Sequence, residues 1–123
     1  MKNKSGFFTT AFYLWLLLML VVSSIPDSRI SAEKILGWDK LAHWSEYLIL
    51  TSLYYLMRIH SRKSIIVLHF LLLALALPIA DELHQLLIPG RSCSYLDALA
   101  DLCGAFSAFL MFALVNRFRR IRL

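Results

Sequence analysis

The polar chemistry of this chain falls in three short stretches: WDKLAHWSEY from position 38, ADELHQ from 80 and RSCSYLDALAD from 91. Among them, Asp39, His43, Asp81, Glu82, Gln85, Arg91, Asp97 and Asp101 form the candidate site. His43 is the natural general base, with Asp39 or Asp97 to orient its ring. Two neighbouring carboxyls such as Asp81 and Glu82 do not ionise equally, so one can serve as a proton donor, or both can ligate a divalent cation. Carboxylates with one histidine suit Mg, Mn or Zn, yet no HExxH-type ligand motif is present, so metal and cofactor stay open. Arg91 offers a planar fork for a phosphate or carboxylate. No nucleophile stands out. Ser94 has no sequence-adjacent base, and Cys93 has no supporting motif.

Helical spacing groups these residues. Asp39, His43 and Tyr47 share one face, with Glu46 flanking it. Asp81 and Gln85 share another, with Glu82 one residue off and His84 beside Gln85. Asp97, Asp101 and Gly104 form a third stripe.

Structural readings stand beside the chemical ones. Asp39 also fits an N-cap with Trp38 at an interface. Ser94 and Asp97 have capping-box spacing. Lys40 fits a side chain snorkelling to headgroups, and His84 a residue facing them. Trp44, Tyr54 and Tyr55 read as interfacial belts or packing, and His69 as a buried, hydrogen-bonded histidine. Gly104 with Ala108 reads as helix packing. Capping does not account for Asp81, Glu82, Gln85 and Arg91. They lie at a helix C-terminus, where the macrodipole disfavours carboxylates by roughly 0.3–1 kcal/mol. Such acids call for a partner: Arg91, His43 or a bound cation.

The elements that must carry these residues are apolar. Of 123 residues, 59% are hydrophobic and 17% charged, with mean hydropathy +0.66. A soluble domain is nearer to about 25% charged. Spanning helices need roughly 17–25 mostly apolar residues. Residues 7–25, 41–57, 64–87 and 96–116 qualify. Backbone groups in hydrocarbon must pair within the segment, so these read as helices. The expected fold is all-α: one integral membrane domain over 1–123, a bundle of four transmembrane helices. Lys2 and Lys4 ahead of the first run also fit a signal peptide. The run is long for one and no A-x-A follows, so an uncleaved span is the expectation. Pro78 removes the bond to the Ala74 carbonyl, predicting a kink just before Asp81.

Basic residues set the expected orientation. Nine of them (Lys2, Lys4, Arg58, Arg62, Lys63, Arg117, Arg119, Arg120 and Arg122) fall on one side of the four-span topology, and Arg29, Lys34, Lys40 and Arg91 on the other. Both termini are therefore expected in the cytoplasm. All eight carboxylates lie on or toward the opposite side. The net charge of +5 thus conceals a dipolar molecule whose basic face meets anionic lipid, not nucleic acid. Cys93 and Cys103 would lie about 13–15 Å apart along a helix, beyond the roughly 7 Å that a disulfide allows. Two free thiols are expected.

Ionisable residues within spans are costly and mark functional sites. The three clusters all fall at the outer end of the expected bundle, at one mouth.

Taken in order, Asp39-Lys40-x-x-His43, Asp81-Glu82-x-x-Gln85, Pro89-Gly90-Arg91, and Asp97 followed by Gly104 resemble the VanZ-like membrane proteins over residues 38–108. No single motif is specific; the ordered set is. One position departs: Asp101 stands where the family commonly has Asn. The resemblance implies a small multi-pass protein of the bacterial inner membrane, in a family whose founding member is associated with low-level teicoplanin resistance. It leaves two classes of function. One is an enzyme acting on an envelope lipid, a lipid-linked precursor or a cell-wall ligand. The other is a non-catalytic scaffold, a ligand-binding protein or a conductor of protons or small solutes. The polar residues crowd one end, which favours a site over a pore. Expected partners are membrane lipids.

Overall fold

The computed structural model describes residues 2–26, 38–64 and 67–121. Asp27, Arg29, Glu33 and Lys34, which entered the orientation argument, lie outside the described residues, as does Arg122. The described chain is helical: α1 (Lys2–Ser23), α2 (Trp38–His60), α3 (Val67–Leu71), a π-helical turn (Leu72–Ala76), α4 (Leu77–Gln85) and α5 (Tyr95–Ile121). α3, the π turn and α4 form one continuous rod.

Three of these units are long and apolar enough to cross a membrane: residues 4–23, 67–85 and 95–117. Four were expected. α2 has the length, with 23 residues, but its mixed polar and apolar composition keeps it out of this set. The packing explains how such a helix is accommodated. α2 makes its main contact with α5 and its next with α1. Its buried side chains are His43, Tyr47, Leu50, Thr51, Tyr54 and Tyr55. The apolar helices instead expose large side chains such as Leu14, Leu17, Leu68, Ile79, Leu99 and Leu114. α2 thus turns its polar residues toward its neighbours, as a lipid solvent demands.

Side-chain contacts fix the helix directions. The start of α1 meets the end of α2 through Ser5 and Ser61, whose hydroxyls are 2.7 Å apart. The end of α1 meets α4 through Ser23 and Asp81. α5 runs alongside α2 in the same sense: His43 meets Asp101, and Tyr55 stacks on Phe112 at 4.9 Å between ring centres. The bases Lys4, Arg58 and Lys63 therefore share one end of the bundle, and the described carboxylates the other. Close approach of α2 and α5 requires Gly104. A Cβ there would collide with the Trp44 carbonyl and lie 3.1 Å from the Leu48 nitrogen. Ala105 and Ala108 continue this contact, both fully buried.

The expected kink resolves into a specific device. The chain takes its π turn just before buried Pro78, with the Leu77 N–H reaching back to the Leu72 carbonyl. Widening one turn accommodates a residue that has no N–H to donate. α4 then ends at Gln85, two residues before the expected limit, and a tight turn comes next. The Arg91 N–H bonds the Ile88 carbonyl at 3.1 Å, with Pro89 and Gly90 between them and Gly90 at φ 80°. That is a type II turn, whose third position favours glycine.

Candidate functional site

The first three turns of α2 present Asp39, His43 and Glu46 toward one cavity of about 160 Å³. Ser23 and Val22 from α1, Asp81 and Gln85 from α4, and Arg91 from the turn also line it. Five of the eight sequence-derived candidates therefore meet around one space. The other three, Glu82, Asp97 and Asp101, do not line it. They form a buried wall beside His43, contributed by α4 and α5.

His43 joins the two layers. Its Nδ1 lies 3.0 Å from Asp101 Oδ1, and its Nε2 lies 3.8 Å from Asp97 Oδ2. Asp97 and Asp101 are one α5 turn apart, so they face the two ring nitrogens in sequence. A carboxylate only accepts, so an ionised Asp101 requires the proton on Nδ1 and leaves Nε2 as an acceptor. Sequence reasoning proposed Asp39 or Asp97 as the orienting acid; the geometry gives that contact to Asp101.

Among the other side chains, some take partners that the sequence did not suggest, while Ser94, His69 and the two cysteines keep their expected roles. Lys40 does not reach outward alone: its ammonium pairs with Asp97 and lies 3.2 Å from Asp39. Ser94 does cap α5, accepting weakly from the Asp97 N–H at 3.4 Å. The reciprocal half of the capping box is not made by Asp97. The Ser94 N–H instead donates to Glu82 Oε2 at 2.6 Å, so a carboxylate on a neighbouring helix sits at the favourable N-terminal end of α5. Arg91 turns to α1, donating to the carbonyls of Ile25 at 3.2 Å and Val22 at 3.3 Å. It thereby satisfies the C-terminal end of that helix. Asp81 accepts from Ser23 at 2.7 Å and from Gln85 at 3.3 Å. His84 faces Ser24 at 3.0 Å, and His69 bonds the Tyr54 hydroxyl at 3.0 Å. Cys93 and Cys103 are free and exposed.

Two polar lining residues stood outside the eight candidates. Glu46, read from the sequence as flanking the Asp39–His43–Tyr47 face, completes the stripe Asp39–His43–Glu46 at i, i+4, i+7. Ser23 gave no signal, being a hydroxyl at the end of an apolar run. Tyr47 is fully buried beneath the polar cavity and helps line a second, mostly apolar one of about 230 Å³ with Leu16, Met19, Leu20, Leu77 and Asp81.

The chain, whose polar motifs on α2, α4 and α5 turn to one end of a helical bundle, matches the VanZ/LLP1 family model over residues 7–116. The chain belongs to the VanZ/LLP1 family. No curated protein and no solved structure matches it. VanZ membership and the three apolar helices together support a multi-pass membrane protein.

Proposed function

We propose that this VanZ/LLP1 protein works in the cell envelope, with its polar end on the extracytoplasmic side, where it binds or acts on the headgroup of an envelope lipid or lipid-linked precursor. The observation that carries this reading is the position of Asp81. It lines both the polar cavity and the apolar one, so an amphiphile has a place for each of its parts. Asp39, Glu46 and Asp81 outnumber Arg91 around the polar cavity, which favours a headgroup offering hydroxyl or amine donors. The basic opposite end, with Lys4, Arg58 and Lys63, supports a cytoplasmic placement there. The teicoplanin association of the family name agrees with a role near the wall.

The test is the lipid profile of three strains by mass spectrometry: one without the gene, one with wild type and one with Glu46→Gln at equal protein level. Glu46 lines the cavity, and the change to Gln removes charge while preserving size. A lipid or lipid-linked species that tracks wild type alone is the expected result. Identical profiles would overturn a catalytic role.

A second reading rests on a different observation. His43, Tyr47, Thr51 and Tyr54 form one buried polar stripe along α2, and Tyr54 leads to His69. The Tyr47 hydroxyl and Thr51 Oγ1 are buried without a partner. This stripe joins the polar end to a cavity of about 380 Å³ at the basic end, lined in part by Tyr54, Arg58, Lys63 and His69. Such a file suits proton conduction. Proton flux into vesicles containing the purified protein, abolished by Thr51→Val, would support it.

A further inference from the structure

We propose that His43, Glu82 and Asp97 form a binding site for a first-row divalent cation, Zn²⁺ or Mn²⁺, with Asp101 as the positioning residue behind His43. One ligand atom from each of the three lies within 4.8 Å of the others. All three residues are buried, and they come from three different helices. Metal bonds of about 2.0–2.2 Å place donors within roughly 4 Å of one another, so adjustments of less than about 1 Å close the site.

Independent observations point to a ligand. Glu82 is only 3% exposed, and its Oε1 has no partner, while Oε2 is held by the Ser94 N–H. A buried carboxylate oxygen without a donor is costly. The His43 geometry supplies a second argument. Nδ1 faces Asp101 at 3.0 Å, while Nε2 lies 3.8 Å from Asp97, too far for a hydrogen bond and suitable for a shared ion. A carboxylate behind a ligating imidazole fixes its tautomer and raises its basicity. Charge argues the same way. Asp39, Glu46, Asp81, Glu82, Asp97 and Asp101 gather at this end, with Lys40 and Arg91 as fixed cations. Lys40 pairs with Asp97 Oδ1, leaving Oδ2 as the oxygen toward His43. The mixed donor set selects the metal class: imidazole disfavours Mg²⁺ and Ca²⁺, and the absence of thiolate from the set disfavours softer ions.

This inference does not depend on the lipid reading, and its test reads binding alone. The full chain is purified in detergent, stripped with chelator, reloaded with Zn²⁺ or Mn²⁺, and its metal content and affinity measured. About one equivalent is expected. His43→Ala and Glu82→Gln should abolish tight binding. Asp101→Asn should weaken it by roughly 10–100-fold, as loss of an orienting carboxylate does. His60→Ala, at the opposite end of α2, should retain the metal. X-ray absorption on the loaded wild type keeps the idea testable if variants fail to fold; one imidazole among oxygen donors is expected. A sulfur shell, an oxygen-only shell, no retained metal, or undiminished binding in folded His43→Ala and Glu82→Gln would each overturn the proposal.

Discussion

At the scale of single residues, Glu82 separates two kinds of work that one carboxylate can do. Oε2 accepts from the Ser94 N–H and so caps α5; Oε1 is buried and unpaired. Glu82→Ala should therefore destabilise the protein by about 1 kcal/mol through the lost cap. Glu82→Gln keeps an acceptor for Ser94 and should unfold close to wild type. Thermal unfolding of both variants in detergent checks this, and equal destabilisation would refute the cap. Asp101 illustrates how one substitution alters a contact. Where the family commonly has Asn, this chain places a fully buried carboxylate 3.0 Å from His43 Nδ1. An amide oxygen could accept the same N–H, but only the carboxylate adds negative charge behind a metal bound to the ring's far side.

The element scale is dominated by the α2–α5 contact. His43 meets Asp97 and Asp101 only because these helices approach closely enough for Gly104 to face the Trp44 carbonyl. Backbone cannot yield as a flexible side chain does. Gly104→Ala should cost roughly 1–3 kcal/mol, the usual range for overpacking. It should also spread the His43–Asp101 pair, so any activity or metal binding should fall with stability. The check is thermal unfolding alongside metal affinity; an unchanged melting temperature would contradict the close contact. The π turn before Pro78 acts on the same site from α4. It shifts the helical phase of α4, and Asp81, Glu82 and Gln85 lie directly beyond it.

For the whole molecule, the deciding feature is how α2 sits in the membrane. A crossing α2 gives four spans and puts both ends of the chain on one side. An α2 that does not cross gives three spans and opposite ends. α2 runs in the same sense as α5 from the His43–Asp101 pair to the Tyr55–Phe112 stack. Cysteine labelling decides it. Cys93, exposed in the loop before α5, should react with a membrane-impermeant thiol reagent in intact cells. A Ser64→Cys substitution, at the other end of the bundle, should react only after permeabilisation, with Cys93 and Cys103 replaced by Ser. Labelling of both positions from outside would refute the topology.

Much of this architecture was legible because a lipid solvent imposes simple rules. Long apolar runs must be helices, and charges within them must gather away from lipid. Composition alone therefore marked four candidate segments and the three polar stretches, and the ordered motifs carried the family resemblance. Partner choice was not legible. Spacing put Asp39, His43 and Tyr47 on one face, but not which of them would meet a cavity and which the core. Capping-box spacing suggested Asp97 for a contact that Glu82 makes from another helix. Arg91 was matched with carboxylates or a ligand; its contacts to the end of α1, made while it lines the polar cavity, gave no signal in the sequence. Each of these outcomes depends on which helix lies across from which and at what distance. Helical periodicity determines the face on which a side chain projects; only packing, set here by Gly104, the π turn and the type II turn at Gly90, determines what that face meets.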